Sequence, residues 1–367
     1  MSNIVGTVET GHAAGFVSAV RSEFLAAVHR HRFLHLVAFG SLALALAVGS
    51  ATGNLPDLGV LSTFASYLGM ALLLGGGMMA AYQLGRLAFV EKSASPTRAL
   101  LASLGGFFGH PERLANSING LAVVIAFATA FSVLKGAIAI LVPFGWDVAF
   151  RDLDEVLHFG YLPHDALWSV LDRPWLIFAV NFAYNLWFIV LLVSWFSAAI
   201  ARRDTPLRHQ FLMSFMLTWL VGGFFIATGF SSAGPVYFER LGLGGDYRPL
   251  TETLRAANEH FSIWALTVQD MLWDGYSGKS TGSVGISAFP SMHVASAVLF
   301  ALYWRKRAPR TAPLFWAFAA VIMLGSVVLA WHYAIDGYAG ALIAWAIWTL
   351  VGRSQRRETG GPPTPNC

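Results

Sequence analysis

Charge is scarce in this sequence. Only 12% of its 367 residues are Asp, Glu, Lys or Arg, against about 25% in an ordinary soluble domain. That shortfall excludes a water-soluble chain of one or two domains. Cysteine occurs once, as Cys367. A lone cysteine excludes an internal disulfide and leaves the redox compartment open, and a bare terminal cysteine is not a prenylation box. No fixed-period repeat and no soluble-domain boundary is present. The net charge of +4 is spread in small basic clusters between apolar runs, so no nucleic-acid partner is expected. Residues 1–32 lack the pattern of a short cleavable signal.

Apolar residues fill the space that charge leaves. The chain is 56% hydrophobic with a mean hydropathy of +0.58. Eight runs are long enough to be membrane helices: about 33–53, 60–84, 117–143, 175–200, 211–230, 289–304, 312–331 and 336–352. The sixth and eighth are short for a crossing. Lysine and arginine gather in alternate connections, among them Arg202, Arg203 and Arg208, then Arg305, Lys306, Arg307 and Arg310, then Arg353, Arg356 and Arg357. The positive-inside rule then places both termini in the cytoplasm. The expected location is a bacterial inner membrane. Two long connections fall on the outer side. Residues 144–174 read as interfacial helices. In 231–288, a stretch near 251–274 reads as one amphipathic helix with Trp264, Leu272 and Trp273 toward lipid. Gly and Ser around 275–287 mark a mobile loop, and 353–367 reads as a disordered cytoplasmic tail.

Two short segments carry chemistry. Ser287-Ala288-Phe289-Pro290-Ser291-Met292-His293 and Trp331-His332-Tyr333-Ala334-Ile335-Asp336-Gly337 place a histidine each at the outer edge of a span, with a carboxylate one helical turn after the second. Ionisable residues at such positions are costly and tend to be functional. Two histidines and a carboxylate can supply a nucleophile, a general acid and an orienting group. The same ligand types suit zinc.

Pro290-Ser291-Met292-His293 followed by His332-xxx-Asp336 resembles the type 2 phosphatidic acid phosphatase superfamily, whose motifs are Pro-Ser-Gly-His and Ser-Arg-x5-His-xxx-Asp. Phe289-Pro290-Ser291-Met292-His293 with His332-Tyr333-xx-Asp336-xxx-Gly340 is closest to the branch containing inositol phosphorylceramide synthases, which move a phosphorylated head group between lipids. The resemblance covers about 117–352. It implies an all-α membrane protein with a six-helix catalytic core, two accessory helices in 33–116 and a cytoplasmic segment 1–32. It further implies a phosphohistidine on His332, oriented by Asp336, with His293 as acid and base and Ser291 receiving phosphate oxygens. No metal and no other cofactor is implied. The partners implied are a lipid phosphate, a hydroxyl or water acceptor and the surrounding membrane lipids, with transfer to a hydroxyl favoured over hydrolysis. Oligomeric state is not indicated.

Two family elements have no evident counterpart. The motif Lys-x6-Arg-Pro is missing, and Ser326 stands where the arginine before His332 belongs. Arg240, Arg248 and Lys279 are therefore the expected phosphate-binding cations. Tyr237 joins them through Gly234-Pro235-x-Tyr237, which is similar to a segment of the synthase branch. Lys135, inside the third span, reads as a snorkelling residue or a partner of Asn181 or Asn185. The rival reading is a non-catalytic lipid transporter or lipid-binding protein. A transporter would show polar residues through the depth of several spans, whereas here they gather at one edge.

Overall fold

The computed structural model describes residues 2–55, 59–201, 205–279 and 285–358. Among these residues the protein is all helical, with no strand. The helices are α1 (Ser2–Arg30), α2 (Arg32–Thr52), α3 (Leu61–Val90), α4 (Pro96–Phe108), α5 (Pro111–Leu141), α6 (Asp147–Leu157), α7 (Pro163–Leu171), α8 (Pro174–Ala199), α9 (Pro206–Gly229), α10 (Pro235–Phe238), α11 (Arg248–His260), α12 (Trp264–Tyr276), α13 (Met292–Arg307), α14 (Ala312–Val328) and α15 (Ala334–Glu358). Among the described residues seven segments are long and apolar enough to cross a membrane: α2, α3, α5, α8, α9, Pro309–Val328 and Ala334–Arg357. They match seven of the eight expected spans, which makes this an integral membrane protein.

The remaining expected span is α13, with 16 residues. At 1.5 Å per residue it reaches about 24 Å, short of a hydrocarbon core of about 30 Å. α14, with 17 residues, is nearly as short, whereas α5 has 31 and α8 has 26. The two short helices carry the histidine motifs at one end, so by length the motifs sit recessed among taller helices. α13 is apolar on every side, which marks a central helix. Val294, Ala295, Ala297, Leu299, Phe300 and Ala301 are buried, and the helix packs against α8, α9, α14 and α15.

Several boundaries differ from expectation. Residues 1–32 are not a separate tail, because α1 is helical and packs along α5, as α2 does. α5 begins at Pro111 rather than 117. Buried polar residues in its first turns broke the apolar pattern: Asn119 Nδ2 lies 3.0 Å from His35 Nε2, and the backbone carbonyl of Asn116 accepts from Arg208. α15 runs to Glu358, so the expected tail at 353 starts as helix; Arg356 and Arg357 in its last turn suit the negative helix end. Cys367 and the rest of the tail lie outside the described residues, as do Arg202, Arg203 and 280–284 of the Gly/Ser loop.

The connections at the histidine end are helical as expected, yet oriented otherwise. α6 buries Asp147, Phe150 and Asp154 along one face, while Val148, Val156 and Leu157 are exposed on the other. Two of its acids, Asp147 and Asp154, point into the protein, while Asp152 and Glu155 stay at the surface beside Arg151. The segment 251–274 is two helices, α11 and α12. They break at Phe261–Ile263, where Asn258 Oδ1 accepts the Ile263 N–H. Trp264 is exposed, but Leu272 and Trp273 pack inward against the core.

The expected topology has a direct test. Single cysteines at Lys279 and Thr311, introduced with Cys367 replaced, should react with an impermeant thiol reagent from opposite faces of the membrane. Reaction of both from one face would remove the α13 crossing and with it the outward orientation of the histidines.

Candidate active site

The two motifs meet because three backbone connections join them. Ser291 N–H donates to the Asp336 carbonyl (2.9 Å), Ala288 N–H to the Ser232 carbonyl (2.9 Å) and Val236 N–H to the Ala330 carbonyl (3.0 Å). A Cβ at Gly340 would stand 2.4 Å from the Ser291 carbonyl oxygen, so α15 can approach the start of α13 only with glycine at this position. The ring centroids of His293 and His332 are then 6.2 Å apart, a spacing that leaves room for one phosphoryl group.

His332 is buried, and its Nδ1 lies 2.8 Å from the Ala288 carbonyl and 3.3 Å from Asp336 Oδ2. A carbonyl only accepts, so Nδ1 carries the proton and Nε2 keeps its lone pair. The Ala288 backbone therefore fixes the tautomer, with Asp336 in support at longer range. Burial chiefly, then the nearby Lys135 charge, pushes the His332 pKa down to about 3 against the raising effect of the Ala288 bond. The ring is thus neutral throughout the working pH range. Asp336 is fully buried and also accepts the Tyr333 N–H at 3.0 Å. His293, in the first turn of α13, stacks on Tyr184 (4.9 Å) and lies 4.4 Å from the Trp187 ring.

Both histidines line one cavity of about 300 Å³ with Lys135, Phe131, Trp187, Trp219, Ser287 and Trp331. Phe188 and Val268 also line it, and both are exposed on the outside of the helix bundle. The cavity therefore borders the surface where lipid would lie. Apart from Asn185, its other walls are mostly apolar and aromatic.

The sequence-derived phosphate set is not assembled here. Arg240 is held by Asp270, over the rings of Tyr237 and Trp273, in a separate cleft on the far side of α12. Arg248 is paired with Glu239. Lys279 is 69% exposed and, among the described residues, reaches Asp274 at 3.9 Å. Each of these cations has a neighbouring carboxylate on its own side of the connection. Ser291 is buried as the N-cap of α13, with its hydroxyl facing the Val294 N–H, and does not line the cavity. Tyr237 does line it, but its hydroxyl donates to the Gln269 carbonyl at 3.0 Å.

Lys135 is the cation the cavity does contain. It makes no ion pair or hydrogen bond with a described residue. Asn181 and Asn185 are not its partners: Asn181 Oδ1 accepts the Ala265 N–H, and Asn185 Nδ2 donates back to Asn181. The segment just before Ser287 lies directly on Lys135, since a Cβ at Gly285 would come within 2.5 Å of its Cγ. The sequence held a signal for it. Six residues separate Lys135 from Val142-Pro143, the spacing of Lys-x6-Arg-Pro with valine in place of arginine. The expectation that this motif has no counterpart is corrected: its lysine and proline are present and its arginine is not.

Asp147 and Asp154 were likewise unassigned. Asp147 accepts N–H groups of Ala233 and Gly234 and the Tyr333 hydroxyl. Asp154 accepts the N–H groups of Ala334 (2.7 Å) and Ile335 (2.9 Å). Burial raises both carboxyl pKa values, and these hydrogen bonds pull them back.

A family model described as the PAP2 superfamily matches residues 148–350, more than half of the chain, including His293, His332 and Asp336. The chain belongs to the PAP2 superfamily. No curated protein and no solved structure matches it significantly. Membership in this superfamily of phosphatases and phosphotransferases assigns the protein a lipid-phosphate type of activity in general.

Proposed function

We propose that this PAP2 protein is a head-group phosphotransferase that moves a phosphoryl-containing group onto a lipid hydroxyl through a phosphohistidine, in the manner of the inositol phosphorylceramide synthase branch. The observation that carries this reading is the shared cavity of Lys135, His293 and His332. His332 Nε2 attacks phosphorus and the bond to the leaving oxygen breaks. His293, which takes up a proton when the donor's phosphate anion lies against it, gives that proton to the leaving oxygen. The acceptor then delivers its hydroxyl proton to His293, its oxygen attacks phosphorus and the P–N bond breaks. Lys135 faces the charge that develops on the phosphoryl oxygens, and the N-terminus of α13 at the cavity wall favours the same anion.

The lining favours transfer over hydrolysis. An aromatic cavity bordering lipid stabilises an apolar alcohol better than it stabilises water. The charge count points to the donor. With valine and serine at the two family arginine positions and one lysine in the cavity, a phosphodiester with one negative charge is better matched than a doubly charged monoester.

Purified protein in vesicles, given labelled phosphodiester and phosphomonoester lipids with and without a long-chain alcohol, tests this. The expected result is label moved to the alcohol, faster from diesters, with little inorganic phosphate. Label released to water at a rate independent of the alcohol would make the protein a hydrolase and reject the transfer reading.

A further inference from the structure

Asp154 takes no part in the chemistry above, yet it performs a task that α15 cannot perform for itself. α15 begins at Ala334, so Tyr333 is its N-cap residue. A helix leaves its first N–H groups without internal partners, and an N-cap side-chain oxygen ordinarily accepts one. The Tyr333 hydroxyl is committed to Asp147 at 2.9 Å. The missing oxygens come from α6: Asp154 Oδ2 accepts the Ala334 N–H and Oδ1 the Ile335 N–H. A carboxylate there also complements the positive end of the helix.

The cap is tied to the histidine through one residue. Asp336, in the first turn of α15, uses a single oxygen, Oδ2, both to accept the Tyr333 N–H and to approach His332 Nδ1. Where α15 starts therefore helps to set, together with the Ala288 carbonyl, where His332 Nε2 aims. Asp147 secures the facing turn, accepting the Gly234 N–H at 2.8 Å. We propose that Asp154 is a positioning residue, which supplies from α6 the N-cap that the helix after His332 lacks and so holds that imidazole in line with phosphorus. The inference rests on His332 as the reacting group.

The test compares Asp154→Asn, Asp154→Ala and Asp154→Glu with Thr205→Ala. Thr205 is an ordinary N-cap, accepting the Arg208 N–H at 3.1 Å at the opposite end of α9. Misplacing a reacting group by about 1 Å costs on the order of 10²-fold in rate. Asp154→Ala should lower kcat by about that factor with KM within about threefold, Asp154→Asn by less, and Asp154→Glu should recover part of the rate. Thr205→Ala should lower the melting temperature and leave kcat unchanged. If Asp154→Ala does not fold, the isosteric Asp154→Asn decides. Wild-type kcat in the Asp154 variants, or a loss matched by Thr205→Ala at equal loss of melting temperature, overturns the proposal. Full activity in His332→Ala would instead reject the reading beneath it.

Discussion

Replacing His332 by alanine is expected to end turnover while leaving the protein folded. The ring is the one group in the cavity whose free nitrogen is defined by geometry, because the Ala288 carbonyl takes the proton-bearing Nδ1. Burial and the nearby Lys135 charge push its pKa down to about 3, which favours the uncharged ring that attack requires. Removing a nucleophile removes the covalent route altogether, and a loss of at least about 10³-fold is expected even if direct transfer persists. Wild-type protein mixed with labelled donor and quenched in alkali should carry an acid-labile phosphoryl group, and the variant should carry none. Turnover in the variant within tenfold of wild type, or label retained on it, would sink the phosphohistidine. The pH profile adds a check with a defined sign. A histidine with a lowered pKa is neutral above that value, so an acid limb near neutrality must belong to another group.

The Ala288 contact also grades Asp336. With the carbonyl at 2.8 Å and the carboxylate at 3.3 Å, Asp336 shares the orienting role instead of holding it alone. It is better described as part of the first turn of α15 that also touches the ring.

The helical architecture was legible because span length and apolar composition are local properties. Among the described residues seven spans satisfy both, and the remaining expected one is the short α13, which begins inside the first histidine segment. Boundaries failed where polar residues are buried inside the protein, as at Asn116 and Asn119. The histidine pair was legible as well, since each histidine marks a helix boundary. The cations were not. Arg240 and Arg248 lie near Tyr237 in sequence, but sequence proximity does not show that Asp270 and Glu239 hold them elsewhere. Lys135 was hidden by its setting within an apolar run, where a snorkelling lysine is the ordinary reading. Asp147 and Asp154 were hidden differently. In a helix expected to lie on a membrane, acids are assigned to water, and only the packing of α6 against the Tyr333 turn shows that they face inward.

The second large effect is expected at Lys135. Lys135→Met preserves the length of the side chain and its fit beneath Gly285 while removing the charge. The transferred phosphoryl group then develops negative charge in an aromatic cavity with no cation among its described lining residues. Removing one preorganised donor to such an oxyanion typically costs about 10²–10³-fold, and the sparse polarity of this cavity places the expected loss of kcat at the upper end. Lys135→Arg should restore only part of the rate. A guanidinium is planar and bulkier than an ammonium, and the loop at Gly285 leaves little room for it. Arg240→Ala, Arg248→Ala and Lys279→Ala are the informative controls. Their charges are already matched by Asp270, Glu239 and Asp274 outside the cavity, so each should retain kcat within about threefold. The outcome that would refute this assignment is the reverse pattern: Lys135→Met near wild type with Arg240→Ala inactive. That pattern would require α12 to shift and bring Arg240 to the histidines when substrate binds. Lys135 contributes more than affinity if kcat falls while KM changes little, because an interaction made only with the developing charge lowers the barrier without stabilising the bound ground state.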